Sequence, residues 1–235
     1  MTTAMDTECT MECNEYDYDI PNTLELVYNY EWLDDVSEKW NDSKNFAGLL
    51  KNMRLFIQGE IPDTPEHAGA LQDKDPEYIS RLLQLNARGV LTTNGQEFMQ
   101  TITKDKIYMQ REYINFAFKP TSKESLENII SKFNDADLFY YAISYDDKKV
   151  YQTPDLGRID FDNPEFWVTR TLKRRTNTYG NHTHIVEPCD LLRNDMNFSY
   201  YASDFYEGTV FFQVWSRTWV EKQRFLLDDV IDCLS

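Results

Sequence analysis

Apolar positions fall on a helical period from Ser43 onward. Phe46, Leu49, Leu50, Met53 and Ile57 share one face, and Gly59 follows as a stop. A second such period opens at Asp75-Pro76-Glu77, an acidic cap with proline in the first turn. It runs through Ile79, Leu82, Leu83 and Leu85 and ends at Gly89. Between the two, Pro62, Pro65 and Gly69 mark residues 60–74 as a loop. Thr121 and Glu124 have capping-box spacing ahead of a third helix carrying Leu126, Ile129, Ile130 and Phe133. Strand patterns occupy residues 90–93, 107–118 and 138–145, with a short one at 185–186. Residues 210–219 are ambiguous: their β-branched and aromatic content fits a strand, whereas Phe211, Trp215 and Trp219 have helical spacing. Residues 225–234 read as a last helix. The pattern predicts a single α+β domain, with a mixed or mostly antiparallel sheet and packed helices.

The first residues do not share this periodicity. Asp6, Glu8, Glu12, Glu15, Asp17 and Asp19 make residues 1–21 an acidic, flexible tail ahead of a domain spanning 22–235. Trp32 and Trp40, in a polar setting, suggest an irregular segment pinned onto the domain body.

Composition narrows the function classes. With 41% hydrophobic and 14% aromatic residues, a chain of 235 residues can bury a sizeable core. Its 8 glycines form neither G-x-G-x-x-G nor G-x-x-x-x-G-K-[ST], which argues against Rossmann-type enzymes and P-loop NTPases. A net charge of −16 repels phosphate backbones, so no nucleic-acid partner is expected. The basic cluster Arg170, Lys173, Arg174 and Arg175 reads as a solvated loop, with a docking patch for an acidic partner or a phosphate as the sharper alternative. No long apolar run and no signal layout occur, so the chain is expected to be soluble, intracellular and cytoplasmic, without a membrane partner. On that expectation Asn41, Asn181 and Asn197 go unglycosylated, and Cys9, Cys13, Cys189 and Cys233 are reduced thiols.

Catalytic signals are weak. His182-x-His184 with Cys189 could supply zinc ligands, but the spacing matches no strong motif, and ordinary histidines, His67 included, are the default. G-x-S-x-G is absent, and no pair of carboxylates stands out in so acidic a chain, so no hydrolytic site is readable. The aromatic strand at 138–145 reads as core rather than as a base-stacking surface. What remains is Thr92, Thr93 and Asn94 at the lip of a buried strand. They place small hydroxyl and amide groups on a rigid element, as a polar small-molecule pocket requires.

An ordered set of short motifs supports a family resemblance. Glu31-Trp32 with Lys39-Trp40-Asn41-Asp42-Ser43, Gly59-Glu60, and Asn86-x-x-Gly89-x-Leu91-Thr92-x-Asn94-x-Gln96 come first. Tyr108-Met109-Gln110-Arg111-Glu112-Tyr113, Asn177-Thr178-Tyr179-Gly180, Ile185-Val186-Glu187-Pro188-Cys189, and Val214-Trp215 with Trp219 follow in order. This set resembles the C-terminal regulatory domain of eukaryotic methylenetetrahydrofolate reductases, which binds S-adenosylmethionine and S-adenosylhomocysteine. The resemblance implies that domain's fold and a helix over 210–219. It implies a ligand pocket at Lys74, Asp75, Thr92, Thr93, Asn94, Gly95, Thr178 and Cys189. Thr92 and Thr178 match threonines that face the ligand. The family's Glu-Thr pair is Lys74-Asp75 here, its serine is Gly95, its last pocket threonine is Cys189, and its Pro-Trp is Pro65-Glu66. Replacing a carboxylate by Lys74 reverses the local sign against a cationic ligand, worth about 1.5–3 kcal/mol or one to two decades in affinity.

The flavin and folate barrel of those reductases has no counterpart in this chain, so no reductase activity is expected. The expectation is a non-catalytic regulatory module that binds S-adenosylmethionine, S-adenosylhomocysteine or a related nucleoside metabolite and acts through a partner protein. Two alternatives are a structural or protein-interaction component with a degenerate pocket, whose composition would suit a virus-encoded protein, and an enzyme acting on an adenosylated sulfonium compound.

Overall fold

The computed structural model describes residues 38–65, 67–68, 71, 74–154, 168–173, 178–183, 196–220 and 224–235, of which 67–68, 178–183 and 196–197 are described by backbone alone. The acidic tail, Trp32, His184, Cys189 and the strand expected at 185–186 lie outside the described residues. From Glu38 onward the described residues belong to one compact unit. No helix among them is long and apolar enough to cross a membrane.

A 3-10 turn, Glu38–Asp42, buries Trp40, whose Nε1 donates to the carbonyl of Asp63 at 3.1 Å. Helix α1, Phe46–Ile57, starts where the Asn45 side chain accepts from Gly48 N, and it ends at Gly59 with φ +79°. The loop predicted over 60–74 contains a two-residue ladder, β1 (Asp63–Thr64) with β2 (His67–Ala68). Helix α2, Pro76–Ala87, is capped by the Asp75 carboxylate, which accepts from Glu77 N at 2.7 Å. Strand β3, Val90–Gln96, runs three residues past its predicted end.

Strand β4 (Met99–Ile102) follows, then β5 (Lys106–Gln110) and β6 (Tyr113–Phe118). The apolar run at 107–118 is therefore two strands. It breaks at Arg111-Glu112, where the chain passes from one sheet to the other. Helix α3, Lys123–Asp135, is capped by Ser122, which accepts from Ser125 N at 3.1 Å, and not by the Thr121–Glu124 box. Then come β7 (Leu138–Ser144), β8 (Val150–Gln152), β9 (Thr169–Lys173), β10 (Thr178–Thr183), helix α4 (Met196–Tyr201), β11 (Val210–Ser216) and helix α5 (Leu226–Cys233).

The helix implied at 210–219 is thus a strand through Ser216. A spacing of four keeps Phe211 and Trp215 on one face of a strand as well as of a helix. All seven residues of β11 are buried: it is the central strand, between β6 and β7, and Val210, Phe211, Phe212, Val214 and Trp215 put apolar side chains on both of its faces.

The described strands form a five-stranded sheet ordered β3-β6-β11-β7-β8, a four-stranded sheet ordered β10-β9-β5-β4, and the small β1-β2 ladder, every pair antiparallel. With the helices they make an α+β unit. Directly opposite residues share a face, so the register sorts the larger sheet. Thr92, Phe116, Phe212 and Ala142 lie in one row, and Gly95, Ile114, Val214 and Tyr140 in a parallel one. Phe116 stacks on Phe212 at 4.9 Å, and Phe133 of α3 meets Phe212 and Tyr140, each at 5.3 Å. The other face carries Leu91, Ala117, Phe211 and Ile143, then a polar row of Asn94, Asn115, Gln213, Tyr141 and Gln152. Residues 138–143 are buried throughout, so this aromatic strand is core.

Candidate functional site

The end of β3, the first turn of α2 and the crossing between β5 and β6 converge on one polar cluster. Tyr78 sits one turn into α2, 1% exposed, with its hydroxyl directed at Gly95. A Cβ built on Gly95 would stand 3.0 Å from that hydroxyl, so glycine here leaves room beside Tyr78. Lys74 Nζ lies 5.9 Å from the centre of the Tyr78 ring. Glu97, just past β3, has its carboxyl raised by burial, with Lys74 opposing the rise and Asp75 adding to it.

Glu112 closes the cluster from the sheet crossing. The residue is 7% exposed, and its Oε2 accepts from Leu226 N at 2.9 Å, at the start of α5. Phe225, the residue before α5, provides no side-chain cap, so Glu112 supplies that contact from another element. Burial is the main reason its pKa is pushed up to about 7. The Leu226 and Leu227 N–H groups pull it down, while Glu97 and Asp228 push it up. Tyr78 is raised as well, by burial first and then by Glu112, Glu97 and Tyr113.

Three buried polar atoms at the end of β3, in α2 and at the sheet crossing have no hydrogen-bond partner among the described residues: Tyr78 OH, Thr93 Oγ1 and Glu112 Oε1. Buried polar groups are nearly always paired, so Tyr78 OH and Glu112 Oε1 are the atoms of this cluster that a polar ligand group would satisfy. Glu97, Gly95 and Lys74 are half-buried and Asp75 is exposed, so the cluster meets solvent on that side.

The sequence-predicted residues distribute unevenly over this geometry. Lys74, Asp75 and Gly95 come together around Tyr78. Thr92 lies on the same sheet face as Gly95, paired with Phe116 and buried. Thr93 is the extra residue where the β3–β6 register shifts, a bulge between Thr92 and Asn94. That bulge sends Asn94 to the opposite face, opposite Asn115, where its Oδ1 accepts from Tyr113 OH at 3.3 Å. Asn94 therefore does not join the pocket face. Thr178 begins β10 in the other sheet, opposite Lys173, and its side chain lies outside the described residues, as does Cys189.

Tyr78, Glu97 and Glu112 were not singled out by sequence reasoning. The signal for Glu112 was present: Arg111-Glu112 is a charged pair inside an otherwise apolar run. Tyr78 carried a weaker one, sitting three residues after the cap Asp75. Glu97 had none in so acidic a chain.

The basic cluster also changes its meaning. Arg170 lies in β9 rather than in a loop, and its guanidinium stacks on Trp219 at 4.0 Å. Arg111 stacks on the same ring at 4.3 Å and donates from Nη1 to Ser216 O at 3.2 Å. Both arginines are thus built into the junction between the sheets. Among the described residues no His, Cys, Asp and Glu group is arranged to hold a metal ion. Cys233 is a buried free thiol, pushed up to about 12 by burial, so it does not act as a nucleophile at neutral pH. No protein-family model matches this chain, and no curated protein matches it in sequence.

Proposed function

We propose that this chain is a non-catalytic, cytoplasmic binding module that takes S-adenosylmethionine or S-adenosylhomocysteine at the Tyr78–Gly95–Glu112 cluster and transmits occupancy to a partner protein. The observation that carries the reading is the pair of buried, unpartnered atoms Tyr78 OH and Glu112 Oε1 beside a glycine. The charge balance supports it too. Lys74 brings a positive charge where the resemblance expects a carboxylate, but Asp75 adjoins it in sequence and the Glu97 carboxyl interacts with it. A ligand with an α-ammonium group, and in one case a sulfonium, finds acceptors here, and Thr92 lies one row deeper on the same face. Catalysis is not part of the proposal, because the cluster lacks an activated nucleophile and a base–orienter pair.

Isothermal titration of the full chain with each metabolite tests the reading. Saturable binding is expected in the micromolar range. Thr92→Val removes one hydroxyl and weakens binding by about one decade, and Glu97→Gln weakens S-adenosylmethionine by one to two decades, as loss of a charge-assisted contact implies. No heat with either metabolite at millimolar concentration overturns the proposal and returns the chain to the class of interaction proteins. Chromatography of the same mixtures for a new product separates binding from turnover.

A further inference from the structure

The candidate cluster and the C-terminal helix share one carboxyl group. Glu112 Oε2 holds the Leu226 N–H at 2.9 Å, and the Leu227 N–H also reaches this carboxyl, while Oε1 has no partner among the described residues. We propose that Glu112 couples ligand occupancy to the C-terminal helix: a cationic ligand group beside Oε1 holds the carboxyl in its charged form, and Oε2 then clamps the start of α5. This rests on the site reading above and adds its regulation.

The surroundings define what the coupling works against. From α2, Tyr78 contributes a buried hydroxyl, and Arg81 pairs with Asp228 at 2.8 Å while stacking on Phe225 at 4.2 Å. Lys74 and Asp75 stand before α2, and Glu97 stands after β3. Asp228 belongs to α5 itself. Of the chain neighbours, Tyr113 bonds Asn94, and Arg111 stacks on Trp219. Glu112 therefore faces two further carboxylates, Glu97 and Asp228, and Arg81 is already engaged by Asp228. With no cation at Oε1, burial and those carboxylates favour the neutral acid, a weaker acceptor for the helix N–H groups. A cation in the pocket reverses that preference, the proton leaves, and the clamp tightens. Arg81 holds the same end of α5 from the α2 side, so the helix stays docked in both states and differs in how firmly its first turn is held.

The coupling is read as proton release on binding. Because the pKa of Glu112 lies at about 7, S-adenosylmethionine should displace about half a proton at pH 7. The release is obtained from titration heats in buffers of different ionisation enthalpy. It should approach one proton near pH 6, where the ligand's α-ammonium is fully protonated and only Glu112 changes its charge. Amide exchange over residues 226–233 should slow at least several-fold on binding. In Glu112→Gln both signals should disappear while weaker binding persists. Should that variant fail to fold, the pH course of proton release in the unaltered protein serves as the second measurement. Binding without proton release, or with unchanged exchange in α5, overturns the coupling and leaves the site reading standing. No binding of either metabolite overturns both.

Discussion

Glu112 ties stability to pH in a direction opposite to that of most acidic residues. Its pKa rises from an ordinary 4.5 to about 7 in the folded protein, so between these values the folded state holds the extra proton. Its contribution is intact below about pH 4.5 and is lost as pH climbs through about 7. The largest loss is on the order of 3 kcal/mol. Urea unfolding of the unliganded chain at pH 5.5 and pH 8 should show this decline, and Glu112→Gln should flatten it. Gly95→Ala tests the room beside Tyr78: the new Cβ crowds the hydroxyl at 3.0 Å, so metabolite affinity should fall while the melting temperature shifts by no more than a few degrees. The candidate cluster was half legible at this scale. Thr92, Gly95, Lys74 and Asp75 came from motif order, but the cluster's deepest acid did not. A buried carboxylate in the short crossing between two strands shows in the sequence only as a charged break in an apolar run, and its partner Leu226 is 114 residues away. Asn94 was misplaced because one extra residue at Thr93 inverts the facing of everything after it.

Among the elements, the long helices were read well, while the short helix α4 was missed and sheet membership was read poorly. The apolar stripes of α1, α2 and α3 follow from local spacing, and their caps follow from side chains a few residues away. Even there the choice between Thr121 and Ser122 was wrong by one position. Ser122→Ala should cost about 1 kcal/mol in chemical denaturation, and Thr121→Ala close to nothing. Strand β11 shows why sheets resist sequence reading. Its spacing of four is shared by both periods, and what decides between them is pairing with β6 and β7 on either side, which no window of neighbouring residues contains. The stack of Phe116, Phe212 and Phe133 rests on that pairing. Phe212→Ala should therefore cost about 3–5 kcal/mol and broaden the unfolding transition, whereas truncating exposed Ile102 should leave stability within about 0.5 kcal/mol.

Taken as a whole, the molecule folds against its own charge. At −16 it repels itself, and screening that repulsion with salt should raise the melting temperature, a trend that scanning calorimetry between low and moderate ionic strength will register. The order of strands in the larger sheet has a consequence for biosynthesis. β11, at the centre of β3-β6-β11-β7-β8, is the last of the five to leave the ribosome, more than 60 residues after β7 begins. Until residue 216 emerges, β6 and β7 each present an open edge, and the aromatic row that will lie between α3 and the sheet has no middle. A nascent chain stopped short of β11 holds two half-sheets with nothing to join them, exposed to chaperones and to each other's copies. In this protein the keystone is synthesised late, and the commitment to fold waits for it.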